Sequence, residues 1–157
     1  MALRDLRGRK VVLVFHLQGT APTAREINRA ARVRFPHPGE VLVAGVRDLS
    51  IVPPVYWMTV GLVLGSAYDL AARELPPDVD PADYLVILPD WGGRVSREYG
   101  ARNTGRAAAL AVLDEGSNFI LSYQGERPVE AVLGALENPQ RVLYDSPGAT
   151  EATDLSK

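Results

Sequence analysis

Two apolar runs, separated by a segment of helical spacing, constrain the fold of this chain more than any other feature. Lys10 to Gln18 (KVVLVFHLQ) is rich in β-branched residues and lies between Gly8 and Gly19. Glu40 to Val46 (EVLVAGV) repeats the pattern. A nearly continuous apolar run is typical of a strand that is buried on both faces. Each run therefore predicts a central parallel strand.

The segment between the two runs predicts a helix over Thr20 to Phe35. Apolar residues recur on one face of it, at Ala24, Ile27, Ala30, Ala31 and Phe35. Thr23-Ala-Arg-Glu26 predicts a capping box at the start of this helix, and the prolines of the turn 36–39 end it. Strand, helix and strand in this order predict a parallel βαβ unit.

The rest of the chain adds shorter elements. Two apolar runs, Ala107 to Leu113 and Asn118 to Tyr123, are separated by an Asp/Gly turn and predict a β-hairpin. The other predicted elements are a strand over Tyr84 to Leu88, a turn over Pro89 to Gly93, and helices over Val95 to Ala101 and Pro128 to Leu136. The pattern predicts an α/β fold with a central mixed sheet of about five strands and helices on both faces.

The length of 157 residues fits one domain, which we expect over residues 1–145. From Ser146 onward the residues are small and polar, so 146–157 is predicted to be a disordered tail. Near the N-terminus only Val11 to Phe15 is clearly apolar, which is too short for the core of a secretory signal. We therefore expect a cytoplasmic protein.

Charge and cysteine content limit the possible functions. The formal net charge is −2 with both signs nearly balanced, so bulk charge would not attract nucleic acid or an anionic membrane. The chain has no cysteine and therefore no disulfide, no thiolate nucleophile and no Cys-based zinc site. His16 and His37 lack a supporting acidic cluster, so neither a metal nor a cofactor is predicted.

Four short motifs follow one another at plausible spacings over roughly residues 4 to 138. They are Leu6–Phe15 (LRGRKVVLVF), Thr20–Thr23 (TAPT) followed by Glu26, Leu88–Gly100 (LPDWGGRVSREYG) and Val112–Gly116 (VLDEG). With them the chain resembles the thioredoxin-like redoxins and peroxiredoxins of the AhpC/TSA family. The resemblance implies a thioredoxin-like fold.

The chain departs from that family at two places. Thr20 and Thr23 occupy the positions of both cysteines in the family's C-x-x-C-x-x-E motif. Threonine carries a hydroxyl instead of a thiol, so it provides no thiolate and forms no disulfide. The resemblance therefore implies that the redox couple of the family is lost. The chain also reads Gly105-Arg-Ala-Ala-Ala109 where the family places a cis-proline.

Several residues near the replaced motif are candidates for binding a ligand. Thr20 and Thr23 at a helix N-terminus could hold an anion, whereas the capping box favours the alternative that both only cap the helix. Asp90 and Trp91 could line a cleft or only form the family turn. Arg106 belongs to a basic cluster with Arg94, Arg97 and Arg102 that favours an acidic partner or anionic ligand, unless it is simply a solvated helix face. No residue is assigned a catalytic role; Thr20 and Thr23 only mark the positions of the family's cysteines.

The longest apolar stretch runs from Val55 to Ala72. It is interrupted by Thr59, Ser66 and Asp69, and it is shorter than the roughly 20 residues of a membrane span, so a buried or interface helix is expected and no membrane contact. Gly61 and Gly65 have the spacing that lets two helices approach closely. With these glycines, a homodimer surface is predicted at Tyr56, Trp57, Met58, Gly61, Leu62 and Gly65; alternatively, the glycines pack on the chain's own sheet.

Three functions are compatible with the sequence. The first is a redox-inactive thioredoxin-like protein that binds a partner protein or itself. The second is an antioxidant-type enzyme with a site that needs no cysteine, formed by His16, Thr20 and Thr23; the hydroxyl would need a base, and His16 is the nearest in sequence. The third is a binder of small anionic ligands.

Overall fold

A five-stranded mixed sheet forms the centre of the molecule. The structure, a computed structural model, describes residues 8–139. The strands are β1 (Lys10–Phe15), β2 (Val41–Asp48), β3 (Leu85–Asp90), β4 (Ala109–Leu113) and β5 (Phe119–Tyr123), in the spatial order β3-β2-β1-β4-β5. β2 pairs in parallel with β1 and β3, whereas β4 pairs antiparallel with β1 and β5.

Within residues 8–139, four α-helices connect or flank these strands. They are α1 (Ala21–Arg34), α2 (Trp57–Arg73), α3 (Arg94–Glu98) and α4 (Pro128–Glu137), and short 3-10 turns lie at Gln18–Thr20, Pro54–Tyr56 and Pro81–Asp83. The first β-α-β unit is parallel, as predicted. The predicted β-hairpin is formed by β4 and β5.

The core on one face of the sheet is closed by α1 and α4. Val12 and Val14 of β1 are fully buried there against Ile27 of α1 and Leu136 of α4. Alternate residues of a strand point to opposite faces, so these valines share one face. The Nζ of Lys10 also donates to the backbone oxygen of Leu136 at 3.0 Å, which ties the start of β1 to the end of α4.

The second face carries a separate apolar cluster. Leu13 and Phe15 of β1 are buried in it, and Val95 of α3 packs against it. Tyr99, which follows α3, lies between two other aromatic rings, 5.9 Å from Phe15 and 6.1 Å from Phe119 between ring centroids. The residues that follow β3 therefore contribute to the core as well as to the loop region.

The predicted elements are all present, with shifted ends. β1 stops at Phe15 rather than Gln18, because the chain turns into a 3-10 helix at Gln18–Thr20. The predicted capping box is wrong: α1 already begins at Ala21, with Pro22 in its first turn, and the hydroxyl of Thr20 makes no cap to the helix. The predicted tail at 146–157 lies outside the described residues.

Of the two alternatives predicted for the apolar stretch, a buried helix or an interface helix, the buried helix is wrong. None of the residues of α2 is buried, although the helix contacts β3 along one side. Val60, Leu64 and Ala67 on that side are partly covered. The opposite side of α2 faces solvent, with Met58 83 % and Leu62 71 % exposed.

Candidate functional site

The candidate site lies where the carboxyl ends of the parallel strands meet the beginning of β4. Because β4 runs antiparallel to β1, its first residue, Ala109, pairs with Phe15 at the end of β1. The loop before β4 therefore lies beside the segment that follows β1. Ligands of open α/β sheets commonly bind at this edge.

An open cleft of about 370 Å³ lies at this edge. Three separate segments form it: the segment that follows β1, the end of β2 with the loop after it, and the loop before β4. The lining residues are Leu17, Asp48, Ile51, Asn103, Thr104, Gly105 and Arg106. The volume is within the range of small-ligand pockets. Of the residues predicted from the sequence to bind a ligand, Arg106 alone lines this cleft.

Thr20 is buried next to the cleft and is fully engaged with the backbone. Its Oγ1 donates to the carbonyl oxygen of Thr104 at 2.7 Å and accepts a hydrogen bond from the N–H of Leu17 at 3.1 Å. A hydroxyl has one proton to donate, and the short bond to Thr104 uses it. Thr20 therefore fastens the cleft loop to the start of α1 and has no proton left for a ligand or a base.

His16 is buried beside the end of β2, with 8 % of its surface exposed. Its Nδ1 lies 3.4 Å from the carbonyl oxygen of Leu17. Burial, together with the positive charge of Arg47, lowers the pKa of His16 to about 4. The imidazole is neutral at pH 7, and its contacts do not include the hydroxyl of Thr20.

Asp90 and Trp91 have structural partners of their own. The carboxylate of Asp90 is buried and accepts the N–H of Ser96 at 2.8 Å, in the first turn of α3. The Trp91 ring lies 5.0 Å from the Trp57 ring at the start of α2. These two residues join the end of β3 to α3 and α2, and neither lines the cleft.

The four arginines of the predicted basic cluster, Arg94, Arg97, Arg102 and Arg106, are all exposed. None of them forms an ion pair with an acidic residue between 8 and 139. Only Arg106 lines the cleft, where Asp48 supplies the opposite charge. Thr23 lies within the first turn of α1 and is not a lining residue.

Sequence reasoning missed most of the cleft. Leu17, Asp48 and Ile51 lie far in sequence from the loop 103–106, and the antiparallel pairing of β4 with β1 brings that loop to them. Asp48 is the last residue of β2, so its place at the carboxyl end of a parallel strand was the one available signal.

The six residues predicted to form a homodimer surface are all exposed: Tyr56, Trp57, Met58, Gly61, Leu62 and Gly65. Trp57 is the least available of them, because it stacks on Trp91 and its Nε1 donates to the carbonyl of Val52 at 3.1 Å. We call the exposed apolar side chains of α2 and the residues before it the α2 surface; its members are Ile51, Val55, Tyr56, Met58, Leu62, Val63 and Leu70.

The alternative role of the glycines is excluded by their surroundings. A Cβ atom built on Gly61 or Gly65 would meet no atom within 4 Å. The suggestion that these glycines pack on the chain's own sheet is therefore wrong. Their small size serves no contact within the described chain.

One helical segment between residues 8 and 139, Pro54–Arg73, is long and apolar enough to cross a membrane by length and composition. The segment has 20 residues, so the expectation that it is too short to span a membrane does not hold. However, α2 connects β2 to β3, which pair in parallel in one sheet. Crossing a bilayer would place these neighbouring strands on opposite sides, so a crossing and the described sheet are mutually exclusive.

Comparisons with solved structures relate the fold to a thioredoxin and to peroxiredoxins. The exposed lipoprotein thioredoxin of Streptococcus pneumoniae matches with a TM-score of 0.55 and 18 % identity over 87 % of this chain and 89 % of that one. The bacterioferritin comigratory protein of Xanthomonas campestris matches with a TM-score of 0.54 and 15 % identity, over 88 % and 83 % of the two chains.

A third similar structure is the mitochondrial 2-cys peroxiredoxin of Plasmodium falciparum, with a TM-score of 0.51 and 16 % identity over 88 % of this chain and 80 % of that one. No protein-family model matches the sequence. No curated protein sequence matches it either.

Fold and comparisons together define the class: the domain is thioredoxin-like, and its structural neighbours include thioredoxins and peroxiredoxins. This chain has no cysteine. The resemblance places Thr20 and Thr23 at the positions of the two motif cysteines. The chain is a cysteine-free protein with a thioredoxin-like fold.

Proposed function

We propose that this protein is a redox-inactive thioredoxin-like module that binds another protein surface through α2. The observation that carries the proposal is the absence of any buried residue in α2, combined with the exposure of its large apolar side chains. Monomeric soluble proteins rarely expose apolar patches larger than a few hundred Å², and larger patches mark interaction sites.

The chemistry of the partner follows from the charge of this region. No charged residue occurs from Leu49 to Tyr68, which includes most of α2 and the loop before it. A charged partner surface would lose water on contact without gaining an opposite charge. The fitting partner is therefore an uncharged apolar protein surface, such as the exposed face of a helix.

The replaced motif supports binding rather than catalysis. Thr20 gives its proton to the carbonyl of Thr104, and His16 is buried with Nδ1 directed at the carbonyl of Leu17. A hydroxyl nucleophile needs a base within hydrogen-bond distance of its proton. The contacts of Thr20 and His16 do not provide that arrangement, so we expect no disulfide reduction or peroxide consumption by the pure protein.

The proposal is tested by placing a photoreactive amino acid at Met58 of the full chain and irradiating cells of its native host. The matched control places it at Val33, which is 80 % exposed on α1 and not part of the α2 surface. We expect protein adducts from position 58 that disappear when Leu62→Arg is added, and none of these adducts from position 33. Equal labelling from both positions, or labelling that Leu62→Arg leaves unchanged, would refute the proposal.

A second candidate function is the binding of a small anionic ligand in the cleft. It is favoured by Arg106, which lines the cleft and forms no ion pair with an acidic residue between 8 and 139. A thermal-shift series with phosphorylated metabolites and organic acids tests it. We expect saturable stabilisation that Arg106→Ala abolishes and Arg94→Ala preserves; no stabilisation by any of these anions would reject it.

A further inference from the structure

The outward side of α2 combines protruding and flat areas next to each other. Met58 and Leu62 project from it, while Gly61 and Gly65, on the adjacent strip of the helix, leave the backbone bare. Residues three and four apart are neighbours on a helix surface, so these four residues form one continuous patch. The patch thus presents both a ridge and the shallow groove that such a ridge can fill.

We propose that a second copy of this chain covers α2, with the two helices crossing antiparallel at Gly61 and Gly65. The inference rests on the proposed function and names the partner for it. In a twofold dimer the same patch meets itself, so a ridge on one copy must meet a groove on the other. Met58 and Leu62 of one copy would pack over the two glycines of its partner, where no Cβ atom holds the helices apart.

Charge is compatible with this self-pairing. Close to a twofold axis each residue approaches its own copy, so a charged residue there would face a like charge. The nearest charged residues in sequence are Asp48 and Asp69, and the stretch between them contains none. Asp69 lies one turn beyond Gly65, and in an antiparallel crossing centred between the two glycines it would face the start of the partner's α2 rather than the partner's Asp69. Self-association therefore meets no repulsion at its centre.

The area is also sufficient. At exposures of 58 to 90 %, the α2 surface leaves on the order of 1000 Å² of apolar side chain open to solvent, compared with about 800 Å² that each partner buries in a standard interface. A patch of this size exceeds the roughly 300–600 Å² that is usual for the largest apolar patch of a monomer. Coverage of about four-fifths of the α2 surface would reach the size of a standard interface.

The glycines provide a test that separates association from folding. Their Cβ positions are empty within the chain, and alanine is a better helix former than glycine. The double variant Gly61→Ala/Gly65→Ala should therefore raise the melting temperature of the dilute monomer. At the crossing the two methyl groups would hold the helices apart, so the same variant should weaken the dimer by roughly tenfold or more, which corresponds to about 1.4 kcal/mol.

The experiment is sedimentation equilibrium of the full chain over a wide concentration range. We expect the wild type to follow a monomer–dimer equilibrium, Leu62→Arg to stay monomeric, and the matched control Val33→Arg to dimerise like the wild type. A wild type that stays monomeric throughout overturns the inference. A dimer that survives both Leu62→Arg and the glycine substitutions overturns it as well, because its interface then lies elsewhere.

Two further results separate this inference from the proposed function. In the first, the wild type is monomeric, but position 58 still labels a different protein in the photocrosslinking experiment. This result would support the proposed function and overturn the inference that the partner is a second copy of this chain. A monomeric wild type that instead co-sediments with neutral phosphatidylcholine vesicles, and loses this with Leu62→Arg, would assign the α2 surface to lipid and overturn both.

Discussion

The imidazole of His16 lies so close to Gly45 that a Cβ atom on that glycine would be 3.1 Å from Nε2. Gly45 belongs to β2, next to the strand that His16 follows. Because Gly45 has no side chain, the ring of His16 fits into the interior beside β2. The ring is held there in its neutral form, because burial and the charge of Arg47 disfavour the protonated form.

We therefore predict an acid-dependent loss of stability that depends on His16. The pKa is about 4 in the folded protein and 6.5 for an unperturbed histidine, so the unfolded chain takes up the proton first as the pH falls. Above pH 6.5 the neutral ring makes its full contribution to the free energy of unfolding. Between pH 6.5 and pH 4 this contribution is lost, which lowers the free energy of unfolding by about 3 kcal/mol in total. Urea unfolding at several pH values in this window measures it.

The control variants for this prediction are His16→Gln and His37→Gln. The first removes the titrating group and should flatten the part of the pH dependence between 6.5 and 4. The second removes the exposed histidine of the turn after α1 and should leave the profile of the wild type. Identical profiles for wild type and His16→Gln would contradict the prediction.

Substituting Gly45 by alanine should reveal the same contact sterically. The new methyl group would press on Nε2 of His16, and we expect Gly45→Ala to destabilise the protein by about 1–3 kcal/mol, as overpacking does. In a His16→Ala background the collision is gone, so the cost should fall to near zero. A double-mutant cycle by chemical denaturation measures this coupling; purely additive effects would show that the two residues do not interact.

The hydroxyl of Thr20 should contribute to stability rather than to chemistry. Thr20→Val keeps the shape of the side chain but leaves the N–H of Leu17 and the carbonyl of Thr104 without their partner, which should cost about 1–3 kcal/mol. Thr20→Ser retains the hydroxyl and should cost clearly less. Thermal and urea unfolding compare the two variants. If serine and valine are equally destabilising, the hydrogen bonds are not what makes position 20 important.

The strands and most helix positions were predictable because their signals are local. The β-branched run at 11–15 marks β1, and Ile27 and Ala31 mark the buried side of α1. The bounds predicted for α1 were close to the observed ones, but its cap was misassigned because Thr23 and Glu26 match a capping box, while Pro22 marks the true first turn. Two local signals competed, and the proline fixed the outcome.

The cleft and the exposure of α2 could not be predicted in the same way. The lining residues come from three segments, and Thr104 reaches Thr20 only because β4 pairs antiparallel with β1. An apolar helix such as α2 has the same sequence pattern whether the protein core or a partner covers it. Its exposure becomes visible only once the sheet is built and α2 contacts it along one side.

Core and surface leucines should differ sharply in their effect on the monomer. Leu13 in β1 is fully buried, so Leu13→Ala should reduce the free energy of unfolding by about 2–5 kcal/mol. Leu62 is 71 % exposed on α2, and Leu62→Ala should change it by no more than about 0.5 kcal/mol in dilute protein. Chemical denaturation at low protein concentration measures both. A large loss for Leu62→Ala would mean that α2 is packed more tightly than the structure shows.

Hydrogen exchange should distinguish α2 from the other long helix. α1 buries Ile27 and Ala31 in the core, whereas α2 buries no residue, so local opening of α2 exposes little additional apolar surface. In dilute protein we expect the amides of α2 to exchange much faster than those of α1, as followed by mass spectrometry of peptides from each helix. Raising the protein concentration should slow exchange in α2 selectively if a second copy covers it, and Leu62→Arg should remove that concentration dependence. Equal protection of both helices in the dilute monomer would contradict the prediction, because it would show that α2 opens only with the core.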